Sequence, residues 1–254
     1  MTISRRELCR AALESLAGYG LCSLVLSRPL WAAPVAPALA RWARGLEQQC
    51  VDLRRGALTQ AEWRAALLQL YAKVPLPDLL AAIDFDRVAA ATVLPADDAT
   101  TARVTLPPVA GLPPQHAFAH KLFGMRKGRA IAPHGHENMI SAHLVARGQV
   151  RVRQYHRLRD EPEHLILQPS RDTVQVPGQH TSISDRDDNV HWLEALTEPA
   201  WTFDVIVDNL DPGQPFPYRQ AFVDPERAER LSDGTLRVPR LTVEAAIAKY
   251  GHHS

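Results

Sequence analysis

Cysteine is scarce in this chain, with three residues in 254: Cys9, Cys22 and Cys50. The first two fall in an N-terminal stretch that reads as removable. The remaining chain then keeps one thiol and no internal disulfide, so its stability must come from packing. Cys50 sits among helix-forming residues and reads as an ordinary helix position rather than a nucleophile. An excess of one charge is also missing. With 29 basic against 28 acidic residues, and no Lys/Arg patch interleaved with aromatics, nucleic acid is not expected as a partner. Past the N-terminus no apolar run is long enough to span a bilayer, so a soluble protein with no membrane attachment is expected after processing. The length allows a sizeable core and one substantial domain, or one and a half.

The N-terminus carries an address. Ser4-Arg5-Arg6-Glu7-Leu8-Cys9-Arg10 resembles a twin-arginine export signal, followed by a modestly apolar segment from Leu16 to Ser27 and small residues from Ala32 to Ala40. Residues 1–40 are read as signal and processing region, with cleavage between Ala33 and Ala40 and a bacterial periplasmic location. That route carries folded proteins. The alternative is a cytoplasmic protein whose first helix is amphipathic, since Glu14 and Arg28 bracket a weak apolar segment.

Residues 41–98 are predicted to be α-helical, rich in Ala, Leu, Arg and Gln with apolar positions recurring at three and four. Thr59-Gln60-Ala61-Glu62 has capping-box spacing, and Trp63, Leu67, Leu70 and Tyr71 form a core-facing stripe. Pro75 and Pro77 end that helix, and Pro77 opens the next. After Ala99 the texture changes to short β-branched runs punctuated by Pro, Gly and Asp. Strands are predicted at 102–106, 118–125, 139–147, 149–156, 173–176, 181–184, 192–197 and 202–208. So many short strands mean a sandwich or small barrel, placed at 99–223, with a C-terminal extension at 224–254 holding a short helix from Thr242 to Tyr250.

The densest chemistry lies in Pro133-His134-Gly135-His136-Glu137-Asn138-Met139, followed by Gly148 and Val150-Arg151-Val152-Arg153-Gln154-Tyr155. Two histidines one residue apart on an extended strand project to the same side, so both imidazoles can reach one ion. A pair of surface histidines in a glycine-containing loop is the alternative.

This segment resembles the first motif of the cupins, most closely the plant cysteine oxidase and 2-aminoethanethiol dioxygenase group. Downstream, Thr181-Ser182, Asn189-Val190-His191 and Phe203-Asp204-Val205-Ile206 resemble that group's second motif. The similarity runs from Phe118 to Asp208, about a third of the chain. It implies a mainly β fold, a cupin jelly-roll barrel (double-stranded β-helix), here with an N-terminal α-helical segment. It also implies metal ligation by His134, His136 and His191, with His180 as the alternative third ligand. Ile140 and Ser141 stand where many cupins place a glutamate ligand, which favours the open three-histidine site of thiol dioxygenases. Tyr155 is expected at the pocket wall, with core packing as the alternative, and Asp204 as an acceptor that fixes an imidazole tautomer, with a structural turn as the alternative. Met139, Ser141 and His143 are expected as pocket or supporting groups.

The resemblance implies Fe(II) and the oxidation of a thiol, free or on a peptide, by dioxygen to a sulfinate. Three imidazoles leave enough of an octahedral ferrous ion open for substrate and dioxygen. Zinc, manganese or nickel at the same ligands would instead suit a hydrolase, isomerase or lyase, and a non-catalytic periplasmic ligand-binding barrel is a third possibility. Cupins often pair, so a homodimer is expected.

Overall fold

Four helices precede the strands among the described residues of the computed structural model, which are 36–96, 99–216 and 218–250. The expected export signal, with Cys9 and Cys22, lies outside the described residues except for its last few positions. Helix α1 (Pro37–Arg54) starts on a proline, whose missing N–H and preset φ suit a first turn. It buries Leu39, Trp42, Ala43, Leu46, Cys50 and Leu53, one stripe at helical spacing. Burial pushes the Cys50 thiol up to about 12, so it stays protonated and inert. Helix α2 (Gln60–Tyr71) begins at the capping box read from the sequence: Thr59 Oγ1 accepts from the Glu62 amide, and the Glu62 carboxylate accepts from the Thr59 amide. The short helices α3 (Leu76–Ala82) and α4 (Phe85–Ala91) are separated at Asp84, whose φ of 53° breaks the helix.

The strands are β1 (Thr100–Ala102), β2 (Ala119–Met125), β3 (Ala130–Glu137), β4 (Met139–Arg147), β5 (Val150–Asp160) and β6 (His164–Gln175). They continue with β7 (His180–Ile183), β8 (Val190–Ala195), β9 (Ala200–Asp208), β10 (Arg219–Phe222), β11 (Glu229–Arg230) and β12 (Leu236–Pro239). A five-stranded sheet has the order β1-β2-β9-β4-β7 and a seven-stranded sheet the order β10-β3-β8-β5-β6-β12-β11. Their pairings are antiparallel. From β3 to β10 the chain changes sheet at nearly every step, which is the winding of a jelly roll. The fold is therefore mainly β, a cupin-type barrel with an N-terminal helical segment, as expected.

Period-two alternation divides the five-stranded sheet into two faces. Its outer face meets the helices: Trp42 against Phe203 with ring centroids 6.4 Å apart, and Phe85 edge-on to Trp201 at 6.0 Å. Arg64 on α2 ties the same junction, donating through Nε to Ser182 Oγ at 2.9 Å and pairing with Asp188. The inner face points into the barrel. On the other side, helix α5 (Val243–Tyr250) packs Ala246 and Tyr250 against Ala130, Ala132, Trp192 and Phe222, covering the back of β3 and β8. β12 joins the seven-stranded sheet beside β6, so residues beyond 224 contribute to the barrel wall.

Some strands depart from the sequence expectation. The strand expected at 102–106 ends at Ala102. β3 was absent from the predicted strands because its sequence, Ala-Ile-Ala-Pro-His-Gly-His-Glu, shows no alternation: both faces are covered, one by the cavity and one by α5. Pro133 is tolerated there because the β3–β8 register shifts between Ile131 and His134. β6 is longer than the strand predicted at 173–176: it starts with a short buried run, Leu165 to Leu167, and then runs exposed from Gln168 to Val174, without the alternation that marks a strand.

Candidate metal centre

His134 and His136 lie two apart on β3, so they share a face. His191, on the neighbouring β8, is the register partner of His134. Ring centroids are separated by 4.5 Å for His134–His136, 4.4 Å for His134–His191 and 5.2 Å for His136–His191. One ligand nitrogen from each ring lies within 4.8 Å of the others, and all three side chains are buried. Among the described residues no carboxylate or thiol joins this group.

Close approach of β3 to the turn before β8 sets this geometry. Asn189, fully buried, donates through Nδ2 to the carbonyl oxygens of His136 at 2.7 Å and Ser184 at 2.8 Å. A Cβ at position 135 would meet Asn189 Oδ1 at 2.4 Å and Val190 Cγ2 at 3.0 Å, which explains the glycine between the histidines.

Hydrogen bonds choose the tautomers. His134 Nδ1–H donates to the Ala132 carbonyl at 2.7 Å and His191 Nδ1–H to the Asn189 carbonyl at 3.2 Å. A carbonyl only accepts, so the proton sits on Nδ1 and Nε2 keeps its lone pair for a metal. Burial pushes His134 down to about 4, against the opposing pull of the Ala132 carbonyl. His191 is held well below the usual histidine range by burial first and the surrounding imidazoles second. Both are neutral at pH 7, the state a ligand needs. Three clustered imidazoles, two of them neutral and held by hydrogen bonds, fit a divalent first-row metal ion.

Across the cavity, β4 and β9 supply a second polar group. His143 Nδ1–H donates to Asp204 Oδ2 at 2.7 Å, and Ser141 Oγ lies 3.2 Å from His143 Nε2. With the proton on Nδ1, Nε2 accepts and the Ser141 hydroxyl donates. The His143 ring stacks on His191 with centroids 5.0 Å apart. Asp204 thus fixes the tautomer of His143 rather than that of a ligand histidine. The cavity between the two walls has a volume of about 280 Å³ and is also lined by Lys121, Phe123, Met139, Ile206, Asp208 and Tyr218.

The structure brings together His134, His136, His191, Met139, Ser141, His143 and Asp204 at this cavity. Tyr155, expected at its wall, points the other way. On β5 it alternates with Gln154, the register partner of the inward His191, so it faces outward opposite Val190, and the ring packs among Leu165, Leu167, Val190, Val223 and Val238. His180, the alternative ligand, lies on β7 against Tyr71 of α2 with centroids 4.7 Å apart and is not among the clustered ligands. Sequence reading missed Lys121, although the inward parity it shares with Phe123 on β2 marks it.

Fold and site together define a cupin-type barrel with a buried three-histidine group of metal-ligand geometry. No family model and no curated protein matches the chain. Among solved structures it is similar to procruciferin, an 11S globulin from Brassica napus (13% identity, TM-score 0.31, 42% of this chain and 23% of that one). It is also similar to KdgF from a Halomonas species (16% identity, TM-score 0.27, 35% and 66%). A third likeness is to a cupin superfamily protein from Desulfitobacterium hafniense DCB-2 (9% identity, TM-score 0.30, 47% and 86%). This chain thus spans under a quarter of the globulin and about two thirds of KdgF, and none of these likenesses bears on substrate or reaction.

Proposed function

We propose that the protein is a mononuclear non-haem iron dioxygenase that oxidises a thiol to a sulfinate. The observation that carries this reading is the donor set: three buried imidazoles, joined by no carboxylate among the described residues, facing a small cavity. Ferrous iron held by His134, His136 and His191 would supply open positions and one-electron chemistry for sulfur and dioxygen. The reaction balances without an external reductant, since a thiol plus dioxygen has the composition of a sulfinic acid. The chain's own part is to bind, orient and move a proton. Asp204 holds His143 with Nε2 as acceptor, and Ser141 Oγ, donating to that nitrogen, stands ready to pass on the thiol proton as the sulfur becomes a thiolate. Phe123, Met139 and Ile206 give the cavity an apolar wall that limits water.

The site residues offer a second reading. The Ser141–His143–Asp204 chain is equally able to shuttle a proton in a hydrolytic, isomerising or eliminating reaction with zinc, manganese or nickel at the triad. A barrel that only binds a ligand needs neither the relay nor the metal for turnover. Metal analysis of anaerobically isolated protein, alongside a His134→Ala, His191→Ala double variant, separates these cases when combined with oxygen uptake over a thiol panel. Iron near one per chain, absent from the variant, with thiol-dependent oxygen consumption supports the dioxygenase. Zinc without oxygen consumption moves the assignment to the second reading. Export to the periplasm by the twin-arginine-like segment and pairing into a homodimer belong to the same proposal, and are tested by cell fractionation and sedimentation.

A further inference from the structure

The register of the five-stranded sheet sets its inward side chains in rows, and one row holds Lys121 on β2, Asp204 on β9 and His143 on β4. All three line the cavity. Asp204 and His143 are paired through Oδ2 and Nδ1. Lys121 is not so engaged: among the described residues its ammonium has no carboxylate within ion-pair distance, and its Nζ stands 4.7 Å from the centroid of the Phe123 ring. It is half-buried and is the only lysine or arginine among the described cavity-lining residues. The ring face attracts the ammonium but leaves its charge unneutralised, so an anion entering the cavity gains a charge-assisted partner there. The other charged group at the rim, Asp208, faces Arg54 at 3.4 Å and is itself partly exposed.

The geometry points to Lys121 as the anchor for the carboxylate of a small substrate whose opposite, reacting end lies at His134, His136 and His191. This rests on the proposed function for the position of the reacting end, but not on the identity of the metal or on sulfur chemistry. A cavity of about 280 Å³ suits a molecule of a few heavy atoms. Asp204 and Asp208 in the same lining disfavour a second negative charge, so the class selected is a short monocarboxylate, and on the dioxygenase reading a mercapto-carboxylate.

The test is calorimetric binding to the anaerobic, iron-loaded full chain, with mercaptopropionate, butyrate and aminoethanethiol as probes and Lys121→Met and Lys121→Arg as variants. Thermal melting first establishes that both variants fold. The expected result is carboxylate binding that weakens by about ten- to a hundred-fold in Lys121→Met and largely returns in Lys121→Arg. Aminoethanethiol affinity should be unchanged or improved by Lys121→Met. Equal carboxylate affinity in wild type and Lys121→Met, or a wild-type preference for the amine over the carboxylate, overturns the anchor. Oxygen uptake measured in parallel keeps the two proposals apart. Butyrate binding through Lys121 with no thiol oxidised leaves the anchor standing and removes the dioxygenase, whereas thiol oxidation indifferent to Lys121→Met does the reverse.

Discussion

Asn189 donates through its side-chain amide to the main-chain carbonyl of His136 at 2.7 Å, joining the strand that carries two of the ligand histidines to the turn that delivers the third. Asn189→Ala removes a buried donor and leaves the carbonyls of His136 and Ser184 without it, at a cost of about 1–3 kcal/mol. The expected outcome is a lower urea midpoint together with substoichiometric metal. Gly135→Ala should give the same metal loss by pushing Asn189 away, given the 2.4 Å approach. Full metal occupancy in both variants would show that the clamp does not set the ligand geometry.

Asp204→Asn is expected to separate metal binding from turnover. His143 would lose the charged carboxylate that holds its proton on Nδ1, while His134 and His191 keep their own carbonyl partners. Metal content should stay near wild type and kcat fall by roughly 10²- to 10⁴-fold, the usual contribution of a positioned acid–base group. Metal loss in step with activity would instead make the pair a scaffold for the ligands.

Acid should destabilise the metal-free protein through its buried imidazoles. His134 is lowered from 6.5 to about 4 in the fold. Between those values the unfolded chain binds the proton and the native one does not, so this contribution is intact above pH 6.5 and lost as pH falls towards 4. The loss amounts to about 3 kcal/mol for His134, and His191 acts in the same direction. Urea midpoints of the metal-free protein at pH 7 and pH 5 check this, with His134→Gln expected to flatten the difference.

Trp42→Ala should act on stability alone. Its ring is buried between α1, Tyr71 and Phe203 on the outer face of the barrel, away from the cavity. A loss of about 3–5 kcal/mol in denaturant unfolding is expected for truncating a core aromatic of this kind. Metal stoichiometry should be unchanged below the transition, and a drop would mean that helix docking shapes the site.

Much of this was legible because local patterns agreed with the fold. The Thr59/Glu62 box and the Trp63–Tyr71 stripe announce α2 without any tertiary information, and His134-Gly-His136 announces two ligands because strand parity forces them together. Tyr155 was open to placement by parity: it alternates with Val150, Val152 and Gln154, and Gln154 is the residue that pairs with the inward His191. β3 was hard to see as a strand because α5, more than a hundred residues downstream, covers the face that would otherwise be polar. Lys121 escaped notice for a different reason: a single inward cation among apolar neighbours looks like a surface lysine until the opposite wall is known.

The pairing of β3 with β8 also has a temporal side. His134 and His136 leave the ribosome well before His191, and β4 through β7 lie between them in the chain. A nascent chain that has emerged only as far as Asp188 therefore offers two imidazoles and an unfinished wall, a weak bidentate grip at most. Tight metal capture has to wait until β8 slides in between β3 and β5, so an occupied centre is a certificate that the barrel has closed.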